Sequence, residues 1–201
     1  MKNILIDLGA NDGCSIRKFS KILPDFNSLV VYAFEPGSIA ESDRMTETLK
    51  KFKNVKLFKN PVSSEQKNLI FYEHTKNSSA GTTWFPKAND KKRRGDCGSD
   101  ISGHVIQKKV TTICLAEFMR GLINESKEEV QFIVKCDIEG EEYNVVPSLL
   151  ENFLFEKINY FFAEWHEEWN TTSKSGSELE ILIKKQNPKI VIDNTWNALG
   201  W

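Results

Sequence analysis

Short apolar runs alternate with amphipathic stretches along most of this 201-residue chain. Ile4–Leu8 reads as a buried strand, and the pattern from about Gly13 to Leu23 as a helix. Leu29–Phe34 predicts a second strand, Ile39–Phe52 a helix and Val55–Phe58 a third strand. Farther on, Gln131–Cys136 predicts a strand with β-branched residues at its centre, followed by a helix over Glu142–Leu150. Ile158–Trp165 reads as a strand, Ser177–Lys185 as a helix and Lys189–Ile192 as a last strand. Strands that alternate with helices of a few turns indicate βαβ units. The fold class is therefore α/β, a doubly wound, mostly parallel sheet covered on both faces.

Residues 73–108 break this rhythm. The interval holds Ser78, Ser79, Ala80, Gly81, Thr82 and Thr83, the basic run Lys91–Arg94, and glycines 95, 98 and 103. Loops of this length inside a compact domain are uncommon and usually serve as lids or binding loops, or are disordered. Two flanking apolar runs, Leu69–Tyr72 and Val105–Ile113, have the makings of an antiparallel extension.

Composition narrows the function classes. Hydrophobic residues make up 40% and charged residues 27%, the balance of a soluble globular protein, and the length suits a single domain over residues 1–201. A formal net charge of −1 removes any global attraction to nucleic acid or acidic lipid. An acceptor must therefore be recognised locally, by a pocket. Cys14, Cys97, Cys114 and Cys136 show no C-x-x-C spacing, which argues against a zinc knuckle or dithiol site and for a reducing compartment. No signal peptide and no membrane-spanning run is evident, so a cytoplasmic domain is expected. The first strand begins at residue 4, so the chain is either a minimal domain or one excised from a longer chain.

The richest segment is Ile6–Gly13, a strand running into a turn with glycines at 9 and 13, then a helix. Gly9 gives conformational freedom and lets a ligand approach the main chain. No Gly-Lys-Ser/Thr follows, so it is not a P-loop, and the third glycine of G-x-G-x-x-G is missing. The acids Asp7 and Asp12 would repel a pyrophosphate, and together with Asn11 they suit a ligand that carries an ammonium and a sulfonium. The plainer alternative is a strand–turn–helix whose Asn and Asp are caps. Glu35, 22 residues past Gly13 and flanked by Phe34 and Pro36, sits where doubly wound folds place an acid on the adenosine ribose.

A second group of acids follows the fourth buried strand, at Asp137, Glu139, Glu141 and Glu142. Ligands of open parallel sheets bind outside the carboxyl ends of the strands, so this group faces the same crevice. Helix N-terminal charge accounts for Glu141 and Glu142, which leaves Asp137 as the candidate for contact with cofactor or acceptor. In the next segment Glu164 and His166 alternate with Trp165 and would share one face of a strand. His166 is the candidate general base for a hydroxyl acceptor; its plain reading is a surface histidine, as favoured for His74 and His104.

Together these residues resemble the FkbM-type methyltransferases, a Rossmann-like branch of the class I S-adenosylmethionine enzymes. The resemblance rests on Ile6–Gly13, Ala33–Pro36, Pro61–Ser63 and Lys135–Glu142, with Glu164–His166 where the family carries an acid and a histidine. It implies that Gly9, Ala10, Asn11, Asp12 and Gly13 line the methionine side of S-adenosylmethionine, with Glu35 and Pro36 at the ribose and Pro61 and Val62 near the adenine. Ser79 and Thr82 fall in a Ser-rich stretch on the acceptor side, and Trp84 is expected to stack on a sugar face. The implied reaction is O-methylation of a sugar hydroxyl, deoxyhexose-like, in glycan or glycoconjugate synthesis. The family's segments ahead of the first strand are absent, and eight residues follow Asp193, so an incomplete terminal antiparallel hairpin is expected.

Two chemical schemes fit. Either His166 acts as base with Asp137 orienting the acceptor, or Asp137, Glu139 and Glu164 hold Mg²⁺ or Mn²⁺ with His166 assisting. The first is preferred, because Asp137 is expected to serve the cofactor and Glu139 to start a helix. The partner is thus a small-molecule or oligosaccharide acceptor, sugar or non-sugar, and not nucleic acid. A nicotinamide-dependent sugar dehydrogenase or epimerase shares the sheet and Glu35, but no Tyr-x-x-x-Lys pair supports it. A base methylase lacks its Asn/Asp-Pro-Pro-aromatic motif here, and a non-catalytic module that kept the fold is the remaining rival.

Overall fold

The computed structural model describes residues 1–74, 105–167, 170 and 172–195. Six parallel strands form the central sheet: β1 (Lys2–Leu8), β2 (Val30–Phe34), β3 (Val55–Phe58), β8 (Val130–Cys136), β9 (Ile158–Ala163) and β10 (Val191–Asp193), in the spatial order β10-β9-β8-β1-β2-β3. Helices α1 (Cys14–Ile22) and α2 (Asp43–Lys51) make the crossovers on one face. Helices α3 (Leu115–Glu125), α4 (Glu142–Glu151) and α5 (Gly176–Gln186) cover the other. This is the doubly wound, Rossmann-like α/β fold that the alternating pattern predicts.

The two-residue period of β1 divides the core. Ile4, Ile6 and Leu8 pack towards α3, α4 and α5, while Leu5 joins Ile16, Phe19, Val31, Ala33 and Met45 under α1 and α2. Both sets are fully buried or nearly so, as a central parallel strand covered on both faces requires. The chain runs outward from β1 to β3, then returns to lay β8 on the other side of β1. That reversal makes a switch point between β1 and β8, and open sheets of this kind bind their ligands in the crevice outside the carboxyl ends of such strands.

Several elements depart from the sequence pattern. The stretch 39–52 is not one helix: a 3-10 turn over Ser38–Glu41 precedes α2, and Ser42 caps α2 by accepting the Met45 N–H at 3.2 Å. The strand expected to reach Trp165 ends at Ala163. Helix α3, absent from the predicted elements, places Phe118 edge-on against Tyr32, Phe34 and Phe58, with centroids 5.2–5.5 Å apart. The expected antiparallel extension is there, as β5 (Asn68–His74) paired with β6 (Val105–Thr111). It reaches into both ends of the interval 73–108. A short parallel pair, β4 (Val62–Ser63) with β7 (Ile113–Cys114), sits at its base. Cys14, Cys114 and Cys136 are free thiols, and Cys97 lies outside the described residues.

Candidate active site

The turn after β1 is shaped by its backbone. Gly9, Asn11 and Gly13 all have positive φ, at 79°, 53° and 86°. A Cβ on Gly9 would lie 1.9 Å from the carbonyl oxygen of Asp137, so only glycine lets the ends of β1 and β8 meet this closely. Gly9 and Ala10 donate their N–H groups to the Phe34 carbonyl at 3.0 Å, which ties the turn to the end of β2. Glu35 completes the tie: its carboxylate accepts the Asn11 N–H at 2.9 Å and the Gly37 N–H at 2.8 Å. Burial pushes the Glu35 carboxyl up to about 7, against the pull of those two donors.

The acids of the turn have separate fates. Asp7 is fully buried beneath it, on the α1 side, where its carboxylate accepts the Ser15 hydroxyl. Burial raises its pKa despite Lys135 and Ser15. Asp12 faces α1 and α2, paired with Arg17 at 2.9 Å and Arg44 at 3.2 Å. Burial opposes its ionisation, but the two guanidinium groups hold the carboxyl below its ordinary range. A cavity of about 460 Å³ between these helices is lined by the same two arginines with Glu47, Thr48 and Lys51. Neither acid caps α1, whose N-cap is Gly13 with no side-chain bond.

Lys135, quoted in its motif but given no role above, is the hub under the turn. It is 2% exposed. Its ammonium donates to the carbonyls of Leu8 at 3.1 Å and Gly9 at 2.6 Å, and pairs with Asp137 at 3.0 Å and Asp7 at 3.7 Å. Burial would neutralise this lysine, but Asp137 and Asp7 raise its pKa above the ordinary value. Asp137 is held below the usual carboxylate range despite its burial, chiefly by Lys135. Inward orientation of a lysine on a buried strand was the available signal.

The second half of the crevice follows β8. Glu139 and Gly140 take positive φ of 59° and 105°, turning the chain into α4. Glu142 is fully buried; its carboxylate accepts the N–H groups of Ile138 at 2.7 Å and Gly140 at 2.8 Å. Glu141 accepts the Ser63 hydroxyl at 2.6 Å, joining β4 beside buried Pro61 and Val62 to the start of α4. Helix charge explains the residue type at 141 and 142, but these bonds give each carboxylate a specific partner.

Beyond β9, Glu164 stays in register by donating its N–H to the Cys136 carbonyl at 2.9 Å. Trp165 turns back onto α5, against Gly176, with its indole N–H on Glu180 at 2.8 Å. His166 is 6% exposed, with Nδ1 3.0 Å from Glu142 Oε1. Its Nε2 lies 3.7 Å from Glu139 and 3.8 Å from Glu164. So Asp137, Glu139, Glu164 and His166 do meet, although the strand carrying the last two ends early. Asp137, Glu139 and His166 present ligand atoms all within 4.8 Å of one another, a set able to hold a metal ion. Pro36 is half-buried beside Glu35, while Ser79, Thr82 and Trp84 lie outside the described residues.

Residues 7–192 match the family described as Methyltransferase FkbM domain. No curated protein and no solved structure matches the chain. Among the described residues, no helix is long and apolar enough to cross a membrane.

Proposed function

Because the chain belongs to the FkbM methyltransferase family, we propose that it transfers a methyl group from S-adenosylmethionine to a hydroxyl of a sugar, deoxyhexose-like acceptor in glycan or glycoconjugate synthesis. The observation that carries this reading is one nitrogen: Nε2 of His166, held between Glu139 and Glu164 on the β8–β9 side of the switch point. The cofactor side is supported by the donor set. Glu35 uses one N–H contact on each carboxylate oxygen, and a carboxylate has lone pairs left for two ribose hydroxyls. Gly9, Asn11 and Gly13 bring main chain, not bulk, to the methionine side, with Ala10 behind them. The ionised Asp137 favours a cationic ligand there. Asp7 and Asp12 act at one remove, Asp7 through Lys135 and Ser15 and Asp12 through its arginines, while Pro61 and Val62 fall to the adenine end.

When bound, S-adenosylmethionine supplies a methyl group already activated on a positively charged sulfur. The protein's own work is to align the acceptor oxygen and take its proton. In the preferred scheme Asp137 orients the acceptor hydroxyl and His166 Nε2 accepts its proton, with Glu139 and Glu164 stabilising the imidazolium that results. Ser79 and Thr82 are assigned to the acceptor on the resemblance, and Trp84 on its place in the long polar interval 73–108.

The Asp137–Glu139–His166 cluster supports a second reading, a bound Mg²⁺ or Mn²⁺ that lowers the hydroxyl pKa. The geometry alters that scheme in one respect. A metal held by this cluster recruits His166 itself as a ligand, so His166 cannot also be the base. The two schemes exclude each other at one ring.

Mass spectrometry of the purified protein under native conditions, followed by calorimetry, tests the cofactor. Co-purified S-adenosylhomocysteine and binding of S-adenosylmethionine are expected, and preferential binding of NAD overturns the reading. A screen of free and nucleotide-linked deoxyhexoses with methyl-labelled cofactor tests the acceptor. Transfer to an amine or a thiol in preference to every hydroxyl overturns the O-methylation assignment.

A further inference from the structure

We infer that Glu142 is a positioning residue that fixes His166 in a single tautomer, with the proton on Nδ1 and the Nε2 lone pair turned to the crevice. The inference rests on His166 serving as the base, and it deepens that reading by naming what prepares the base. The Glu142 carboxylate is fully buried and accepts two backbone N–H groups, one on each oxygen, from Ile138 and Gly140. Both Glu142 oxygens thus act as acceptors towards the backbone, and His166 Nδ1, 3.0 Å from Oε1, joins the Ile138 N–H as a second donor to the same oxygen. Because an imidazole with one proton has it on Nδ1 or on Nε2 and not both, the proton-accepting nitrogen is Nε2, the one facing Glu139 and Glu164.

The local backbone makes this orientation stiff. Glu139 and Gly140 are both left-handed, and the two N–H groups that clasp Glu142 come from either side of Glu139. The same carboxylate therefore shapes the turn that carries Glu139 and aims the ring that faces it. A proton taken from an acceptor hydroxyl passes to Nε2 and makes imidazolium. As the acceptor's O–H bond breaks and its new C–O bond forms, the methyl–sulfur bond of S-adenosylmethionine breaks and leaves its electron pair on sulfur, giving the neutral thioether. Glu142 balances the imidazolium through Nδ1–H. Replacing Glu142 removes that balance and frees the ring to exchange tautomers, without touching the Glu35 end of the crevice.

Nitrogen-15 multiple-bond NMR reads the tautomer directly, and with three histidines in the chain, His74→Gln and His104→Gln variants assign the signals. At about pH 9, above the ordinary imidazole range, wild-type His166 is expected as the Nδ1–H form. Glu142→Gln is expected to shift it towards Nε2–H and to lower kcat roughly 10²–10⁴-fold, with S-adenosylmethionine affinity within about threefold of wild type. Glu142→Asp, which retains the charge on a shorter arm, should recover part of the rate. An Nε2–H form in the wild type, or an unchanged tautomer in Glu142→Gln, overturns the inference. The NMR result is independent of turnover: a fully active His166→Ala enzyme would refute the base and leave the tautomer assignment standing.

Discussion

Glu35→Gln probes the proposed cofactor site through a charge the fold holds at a cost. Burial lifts this carboxyl from an ordinary 4.5 to about 7. It is then about one-tenth ionised at pH 6 and about nine-tenths ionised at pH 8. Ribose hydroxyls donate to the ionised form, so S-adenosylhomocysteine should bind about tenfold more tightly at pH 8 than at pH 6. Calorimetry across that range is the assay. The Gln variant should lose this slope and bind about one to two decades more weakly at pH 8, as expected for loss of charge-assisted hydrogen bonds worth about 1.5–3 kcal/mol. Titration of the ligand's own amino group affects both proteins and cancels in the comparison. Stability should move the opposite way. A carboxyl raised above its unfolded value binds its proton more tightly when folded, so its stabilising share is complete below about pH 4.5 and is lost as pH rises through about 7. The shift corresponds to about 3 kcal/mol by pH 8, a loss the Gln variant does not suffer in urea unfolding. A wild-type affinity flat between pH 6 and 8, or the same slope in both proteins, refutes the assignment of Glu35 to the ribose.

Three further outcomes are expected. Lys135→Met strips Asp137 of a buried counter-ion 3.0 Å away; a loss of about 3–5 kcal/mol, or roughly 6–20 °C in Tm for a chain of this size, should appear on thermal unfolding, and a loss under about 1 kcal/mol would contradict the hub role. Gly9→Ala drives a Cβ to 1.9 Å from the Asp137 carbonyl and should abolish cofactor binding, whereas Gly121→Ala, on α3 with nothing within 4 Å, should stabilise by about 0.5–1 kcal/mol; equal effects of the two on unfolding would refute the close approach. His166→Ala should lower kcat by about 10²-fold or more with cofactor affinity nearly unchanged, and EDTA should spare the wild type; loss of turnover in EDTA with rescue by Mn²⁺ would instead select the metal scheme.

The sheet was legible because its signals are local. Buried parallel strands read as short apolar runs, and β1, β2, β3, β8 and β9 each show one. Helix α3 carries the full helical pattern, with apolar residues at 115, 116, 118, 119, 122 and 123, but Gly121 in its middle and the strand pattern just before it obscured the run. The break at Ser42 likewise had a local sign, a capping residue inside an otherwise continuous amphipathic stretch.

The site was legible in part, and the division is physical. Glu35, Asp137 and the glycine turn announce themselves by position relative to strand ends, because the fold always delivers strand ends to the crevice. What Lys135 and Glu142 do depends on partners remote in sequence, such as Leu8 and Gly9 for the lysine and His166 for the glutamate. No spacing rule encodes those pairs. Asp12 shows the converse. Its place in the turn is visible in sequence, but the arginines that claim its carboxylate come from two helices.

The pairing of β1 with β8 also bears on how the chain folds during synthesis. Lys2 lies opposite Val130, a separation of 128 residues. At about 5–20 residues per second, that gap keeps one edge of the central strand open for on the order of ten seconds. During this time β1, β2 and β3 can assemble, but Ile4, Ile6 and Leu8 have no β8 beside them and none of α3, α4 and α5 over them. An apolar strand edge in that state is a template for pairing with other chains. The nascent half-sheet is therefore the point at which chaperone depletion or fast translation should lower the soluble yield, whatever the stability of the finished protein.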